Sequence, residues 1–495
     1  MRFCFNRMLT VLPSGGMPAP VLTFVLALAL AAFAAPAVWG ATAAQQGHPC
    51  HLPGYDQTLR CITVNVPLDY QQPRGAHLAL QVTLAPALRE SARPDPLFVL
   101  AGGPGQAGSE ILPLLDSAFR HVRATRDIVF IDQRGTGLSG KLDCDSTQAL
   151  EEQSLPQQEQ AVAACMRKLN RPFAFYNTEN SARDLDLIRA ALGYRQIDVW
   201  GSSYGTRLGQ VYARLYPGAV RAMILDAVAA PDQIIFAWGR DAQAALDATF
   251  THCAEDADCH AAYPQLPQQF AALLQRVNAG TVALDVAHPR TARRLQLQLS
   301  PERFLQAVRT ALYAPDSASR LPYLIASAEQ DNWLPFVAQM YSMQDFSFDG
   351  PSIGLMLAVT CAEDIPRLTP AIIADEQHNS FMAGLEVRLI PAWCRYVQVP
   401  PVPYVEPSVI TAPVLLLSGA LDPVTPPHRA ASAARHIAHA QQFVVANAGH
   451  GVSQLGCAPR LLREFLDRPE QALAAQCLKD IPRNRFQLGA AGPHP

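Results

Sequence analysis

The stretch Val199–Pro217, VWGSSYGTRLGQVYARLYP, sets two adjacent serines between glycines at the end of an apolar run. A serine at the apex of a sharp strand-to-helix turn needs glycine two positions before it and two after, because neighbouring backbone crowds any side chain there. Ser203 has Gly201 and Gly205 at those positions, whereas Ser202 would have Trp200 and Tyr204. Only Ser203 fits G-x-S-x-G. The pattern is short enough to arise by chance, so its surroundings decide. Gln196–Trp200 (QIDVW) reads as a short strand. Leu208, Val211, Tyr212 and Leu215 then recur at i, i+3, i+4 and i+7 on one helix face, and Pro217 stops the helix. Strand, turn and helix stand in the order a nucleophile elbow requires.

Outward from the elbow the same rhythm repeats. Toward the N-terminus, PLFVLAGGPGQAGS (Pro96–Ser109) and DIVFIDQRGTGLSG (Asp127–Gly140) each read as an apolar strand running into a glycine-rich loop. SARDLDLIRAALG reads as a helix opened by Ser181 and closed by Gly193, and RCITVNVPLDY and HLALQVTLAPAL alternate as two strands joined by QQPRGA. Strands alternating with helices imply an α/β class, a mostly parallel sheet covered on both faces. The rhythm changes near Pro231. A mainly helical segment with one hairpin at TVALDVAHPRTARRLQLQL, and a helix opened by Ser300-Pro301-Glu302, precedes the returning strands APVLLLSGALDPVTPP and QQFVVANAGHG. The expected organisation is a first core part over 44–233, an inserted helical lid with its return connection over 234–400, and a C-terminal core part over 401–495. Such a lid would lie over the carboxyl edge of the sheet, where open sheets bind ligands.

Composition narrows the setting. A net charge of −3 with 16% charged residues over 495 positions, and no Lys/Arg run, argues against nucleic acid as a partner. Arg2 and Arg7 ahead of the apolar VLTFVLALALAAFAA, with Ala41-Thr42-Ala43 as an A-x-A cleavage site, read as a signal peptide over 1–43; Met8 and Met17 are alternative starts. The apolar stretch is short for a membrane span and ends in small rather than basic residues, so no stable membrane association is expected after cleavage, and the product would be periplasmic or secreted. Removing that segment takes Cys4 and leaves ten of eleven cysteines, an even number suited to an oxidising compartment. Their spacing suggests local bridges: Cys50–Cys61, Cys144–Cys165, Cys253–Cys259, Cys361–Cys394 and Cys457–Cys477. The run THCAEDADCHAAY offers His252, Cys253, Cys259 and His260 as metal ligands, and His48, Cys50 and His51 form a similar group. Paired cysteines favour small disulfide loops in both, so no metal and no cofactor is expected.

A serine hydroxyl becomes a nucleophile when an imidazole takes its proton, and the imidazole needs a carboxylate to fix its tautomer. Downstream of Ser203, the strand VLLLSG delivers Asp422 into a Gly/Pro-rich loop, and FVVANAGHG delivers His450 likewise. The order Ser, Asp, His and the strand-end placement point to a triad. Oxyanion donors are expected from the backbone N–H of Tyr204 and from the Ala101–Gly105 loop, where Pro104 has no N–H and Gly103 is favoured.

AGGPGQAG, DQRGTGLSG, GSSYGT, SGALDPVTPP and AGHG together resemble the secreted tripeptidyl-aminopeptidase-like branch of the α/β-hydrolases, relatives of proline iminopeptidases, over about Pro96–Pro231 and Pro413–Cys477. The resemblance implies a serine exopeptidase that removes residues, as tripeptides or proline-containing units, from peptide N-termini. Ala101 stands where proline iminopeptidases usually carry histidine, which loosens any restriction to proline. It also implies that the Asp132-Arg134-Gly135 loop is a structural, ion-paired turn. An aminopeptidase must hold an ammonium, for which TCAEDIPR offers Glu363 and Asp364. The competing readings are a carboxylic-ester hydrolase with the same triad and a non-catalytic binding protein on the same scaffold; the latter should have lost a triad member, and this chain keeps all three.

Overall fold

The apolar runs flanking the elbow become the centre of one nine-stranded sheet. Its members are β1 (His48–Leu52), β2 (Tyr55–Pro67), β3 (His77–Ala85), β4 (Leu97–Leu100), β5 (Ile128–Ile131), β6 (Ile197–Ser203) and β7 (Val220–Val228). After β8 (Val282–Ala287) and β9 (Arg294–Leu299), which form a separate antiparallel hairpin, β10 (Ile410–Gly419) and β11 (Ile437–Val445) complete it. The spatial order is β1-β2-β3-β5-β4-β6-β7-β10-β11. The six strands from β5 to β11 are parallel, while β1, β2 and β3 pair antiparallel. This computed structural model describes residues 47–144, 154–280, 282–289, 291–344 and 350–493. The segment read as a signal peptide lies outside them.

Side chains alternate across the parallel strands with a period of two. Val199, Leu225 and Leu416 pack on one face with Leu208 and Tyr212 of the helix Tyr204–Leu215. Trp200, Ile224 and Leu415 pack on the other with Leu462 and Phe465 of the helix Ala458–Asp467. Burial on both faces is why these strands read as continuous apolar runs.

The structure departs from the sequence reading in three places. β1 was unforeseen because HPCHL carries two histidines and a proline and does not alternate; it is held by its pairing with β2, which sets Cys50 opposite Leu59. The helix expected to open at Ser181 spans Thr178–Ala191 instead, because the Asn177 side chain accepts the Asn180 N–H and caps it four residues before Ser181. The helix Leu155–Leu169 was also unforeseen. Between β7 and β10 the chain is mainly helical from Gly239 to Cys394, apart from the β8–β9 hairpin, and has its own aromatic core around Phe270, Phe304, Trp333 and Phe336. The structure joins the ten cysteines Cys50–Cys61, Cys144–Cys165, Cys253–Cys259, Cys361–Cys394 and Cys457–Cys477. Among the described residues no helix is long and apolar enough to cross a membrane.

Candidate active site

At the end of β6 the chain turns into the helix Tyr204–Leu215 within one residue, and Ser203 sits at the turn with φ 55° and ψ −126°. That left-handed backbone is costly for a residue with a Cβ and holds only where packing enforces it. The flanking glycines show the enforcement. A Cβ on Gly201 would lie 2.5 Å from the Gly205 carbonyl oxygen, and one on Gly205 would lie 2.1 Å from that of Leu100. The spacing G-x-S-x-G is thus the record of a collision between turn, helix and neighbouring strand.

His450 Nδ1 lies 2.8 Å from Asp422 Oδ2. The Asp422 carboxylate also accepts the Val424 and Thr425 N–H groups at 2.9 and 2.8 Å and the Thr425 hydroxyl at 2.7 Å. Burial alone would raise its pKa; the charge and hydrogen bond of His450 and these donors outweigh burial and hold it below the ordinary carboxylate value. For His450 burial works the other way, against the protonated ring. Asp422 by charge and hydrogen bond, with Asp226 behind it, more than offsets burial and raises the imidazole pKa. Asp226 reaches the same loop through the backbone, accepting the Val452 and Ser453 N–H groups. The Tyr313 carbonyl accepts the His450 N–H at 2.8 Å, and the Tyr313 ring stands edge-on to the imidazole. A Cβ on Gly449 would lie 2.4 Å from that carbonyl oxygen, which explains the glycine before the histidine.

Ser203 and His450 line one cavity of about 260 Å³ with Gly102, Gly103, Tyr204, Trp238, Tyr313 and Thr425. No hydrogen bond joins the serine hydroxyl to the ring, a looseness common in active sites without substrate. A Cβ on Gly102 would lie 3.0 Å from Ser203 Cβ, so the Ala101–Gly105 loop passes directly beside the serine. Tyr204 starts its helix, so its N–H belongs to the first turn, which has no intrahelical acceptor. Gly103 and Tyr204 thus line the same cavity as Ser203.

Glu363 and Asp364 are elsewhere, and the expectation that they hold a substrate ammonium is corrected. Asp364 is fully buried, pairs with Arg207 at 3.0 Å and accepts the Ile235 N–H. Glu363 accepts the Thr178 N–H at 2.8 Å and its hydroxyl at 2.6 Å. Neither lines the cavity. The acids near its wall are Glu386, which accepts the Trp238 indole N–H and pairs with Arg309 at 3.3 Å, and Glu376, which accepts the Gly239 N–H at 2.6 Å. Burial first, then the neighbouring Asp241 and Glu386, pushes the Glu376 pKa up to about 7. Sequence reasoning missed both acids, whose partners lie 148 and 137 residues away. Arg134 forms its ion pair with Asp184 at 2.6 Å, and Asp132 accepts hydrogen bonds from Ser109 and Leu138. The loop they share is thus tied to Ser109 and Asp184 outside it and, through Leu138, to itself.

A sheet with its serine on a strained strand-to-helix turn, and an acid–histidine pair from two later strand ends, is the arrangement of the α/β-hydrolase fold. The model of that family matches residues 95–453, and this chain belongs to the α/β-hydrolase family. Its relatives include the tripeptidyl aminopeptidase of Streptomyces coelicolor, 34% identical over 195 residues that make up 35% of this chain and 36% of that one. That match therefore spans about a third of the relative's length. The serine protease Hip1 of Mycobacterium tuberculosis is 29% identical over 74% of this chain and 76% of its own. The solved structure of proline iminopeptidase from Mycobacterium smegmatis matches 82% of this chain and 94% of that one at 15% identity, with a TM-score of 0.34.

Proposed function

We propose that this protein is an exported serine exopeptidase that releases residues from peptide N-termini through an acyl-enzyme. Ser203 attacks the scissile carbonyl while His450 takes its proton, and Asp422 fixes the ring tautomer and stabilises the imidazolium. The Gly103 and Tyr204 N–H groups receive the developing oxyanion. His450 then returns the proton to the departing amine, and water repeats the sequence to free the acyl product. The observation that carries this reading is the meeting of Ser203, His450 and the Gly102–Gly103 loop in one cavity, with Asp422 2.8 Å behind the imidazole.

A peptide rather than an ester substrate is supported by the names of the relatives and by the acids beside Trp238. Glu386 and Glu376 are the candidates to receive a free ammonium, for which Glu386 would exchange Arg309. The helical segment 234–400 acts as the lid in this reading, since it contributes Ile235, Trp238, Tyr313 and Pro351 to the cavity. Five disulfides support export to an oxidising compartment. The test is a panel of tripeptidyl, prolyl and single-aminoacyl arylamides with free and acetylated N-termini, run beside short aryl esters. Hydrolysis of the free-amine arylamides that vanishes in Ser203→Ala is expected. Hydrolysis of esters alone would overturn the peptidase assignment, and an active alanine variant would overturn the mechanism.

A further inference from the structure

The helix Ile353–Glu363 touches both halves of the proposed oxyanion hole. At its N-terminal end Ser352 caps the helix and donates its own N–H to the Gly105 carbonyl at 2.9 Å. A Cβ on Gly105, whose φ is +111°, would lie 2.7 Å from the Ser352 carbonyl oxygen, so loop and helix end are in direct contact there. The Ser352 hydroxyl and the Gly354 N–H both reach the Leu142 carbonyl, at 3.0 and 2.8 Å. This end of the helix is thereby fixed to the core as well as to the loop bearing Gly103.

The other end, an 11-residue helix or about 16 Å away, reaches Tyr204. The Thr178 hydroxyl has one proton, which it donates to Glu363 Oε2 at 2.6 Å, so across the 2.8 Å contact with Tyr204 the tyrosine hydroxyl is the donor. The result is a chain Tyr204 O–H to Thr178 Oγ1 to Glu363. Thr178 and Tyr204 are both buried, and Glu363 also accepts the Thr178 N–H at 2.8 Å. That N–H opens the helix Thr178–Ala191, where a carboxylate is favoured by the helix dipole. Next in sequence, Asp364 grips Arg207 one turn further along the elbow helix. The Cys361–Cys394 disulfide ties the helix to its neighbour Leu385–Cys394.

We infer that Glu363, Thr178 and the Tyr204 hydroxyl are positioning residues for the oxyanion hole, with Ile353–Glu363 as the strut that sets its two donors at a fixed separation. The inference rests on the reading of Ser203 as nucleophile. Oxyanion donors act in the transition state and little in the ground state, so a loosened hole lowers kcat and spares KM. Losing one donor outright costs about 10²–10³ in kcat, and loosening one is expected to cost about ten-fold.

The experiment compares Tyr204→Phe, Thr178→Val, Glu363→Gln and the double variant Tyr204→Phe/Glu363→Gln, on whichever arylamide or ester the wild-type protein turns over. Each single variant is expected to lose about ten-fold in kcat with KM within two-fold. Inhibition by a peptide boronic acid should weaken in parallel with kcat/KM, and the acid limb of the pH profile should stay in place because His450 is untouched. Because the three residues form one chain, the double variant should be little worse than the worse single one. Losses that multiply, a rise in KM at constant kcat, or full activity in folded Tyr204→Phe would each overturn the strut. Tyr204→Phe removes one hydroxyl and no packing volume, so it remains informative even where Glu363→Gln does not fold. An active Ser203→Ala would instead remove the underlying reading of the site.

Discussion

Replacing Glu376 by Gln should make the protein more stable at pH 8 and change its stability little at pH 4.5. Glu376 is almost wholly buried, accepts the Gly239 N–H, and faces Asp241 and Glu386; Arg429 and His428 approach Asp241, and Arg309 approaches Glu386. Its pKa rises from 4.5 to about 7 on folding. Between those values the folded state retains a proton that the unfolded chain has released, so stability falls as pH rises through that window and levels off above it. The full interval of about 2.5 units corresponds to at most about 3 kcal/mol. Gln keeps an oxygen for Gly239 while removing the charge. For a chain of this size 3 kcal/mol is roughly 3 °C in Tm. Thermal unfolding of wild type and variant, followed in parallel from pH 4.5 to 8.5, reads the difference and cancels every other titrating group. A difference that is flat with pH, or that favours the wild type at pH 8, would refute the argument.

Four further outcomes follow from the site and its supports. Because His450 must be neutral to accept the Ser203 proton and its pKa is raised, the acid limb of kcat/KM should lie above the ordinary histidine value of about 6.5. Asp422→Asn should move that limb downward and lower kcat by about 10³–10⁴, as read from a pH series with one arylamide. Gly205→Ala should abolish activity, since its Cβ would meet the carbonyls of Leu100 and Ala101 at 2.1 and 2.7 Å; activity within two-fold of wild type would show that the elbow is not so constrained. Removing the Cys361–Cys394 bridge in a double alanine variant releases a loop with a sequence separation of 33 and should cost about 4 kcal/mol in denaturant unfolding.

What the sequence disclosed were features set by local geometry and chain order. The elbow is legible because glycine is demanded two residues either side of Ser203. Asp422 and His450 are legible because loops after parallel strands all open at the same edge of the sheet. Partners far apart in sequence left no such trace. Glu363 stands 185 residues from Thr178, and nothing in TCAEDIPR distinguishes a carboxylate turned toward an elbow from one awaiting a substrate. Trp238 draws no reading from the sequence, since its indole N–H partner Glu386 stands 148 residues away. β1 was invisible because pairing with β2, rather than alternation, makes it a strand. Asp226 lay in an apolar run, RAMILDAV, where only the fold reveals that the following loop presents two N–H groups to it.

The inserted segment does more in this structure than close over a finished catalytic centre. Its Tyr313 carbonyl accepts the His450 N–H, its Ser352 donates to the Gly105 carbonyl, its Glu363 reaches the Tyr204 hydroxyl through Thr178, and its Asp364 pairs with Arg207. Each side of the proposed machinery therefore depends on a group from 234–400, while the sheet supplies only the three reacting side chains and the loop glycines. The same segment presents Trp238 to the cavity with Glu386 accepting its indole N–H, so in the proposed reading the residues that would choose the substrate share a body with those that would hold the donors. Changes to Trp238 or Glu386 should alter KM across peptide substrates, whereas changes at Tyr204, Thr178 or Glu363 should alter kcat for all of them alike. An exchange of the whole segment for that of another hydrolase would change both at once, because it replaces the selectivity wall and the strut together.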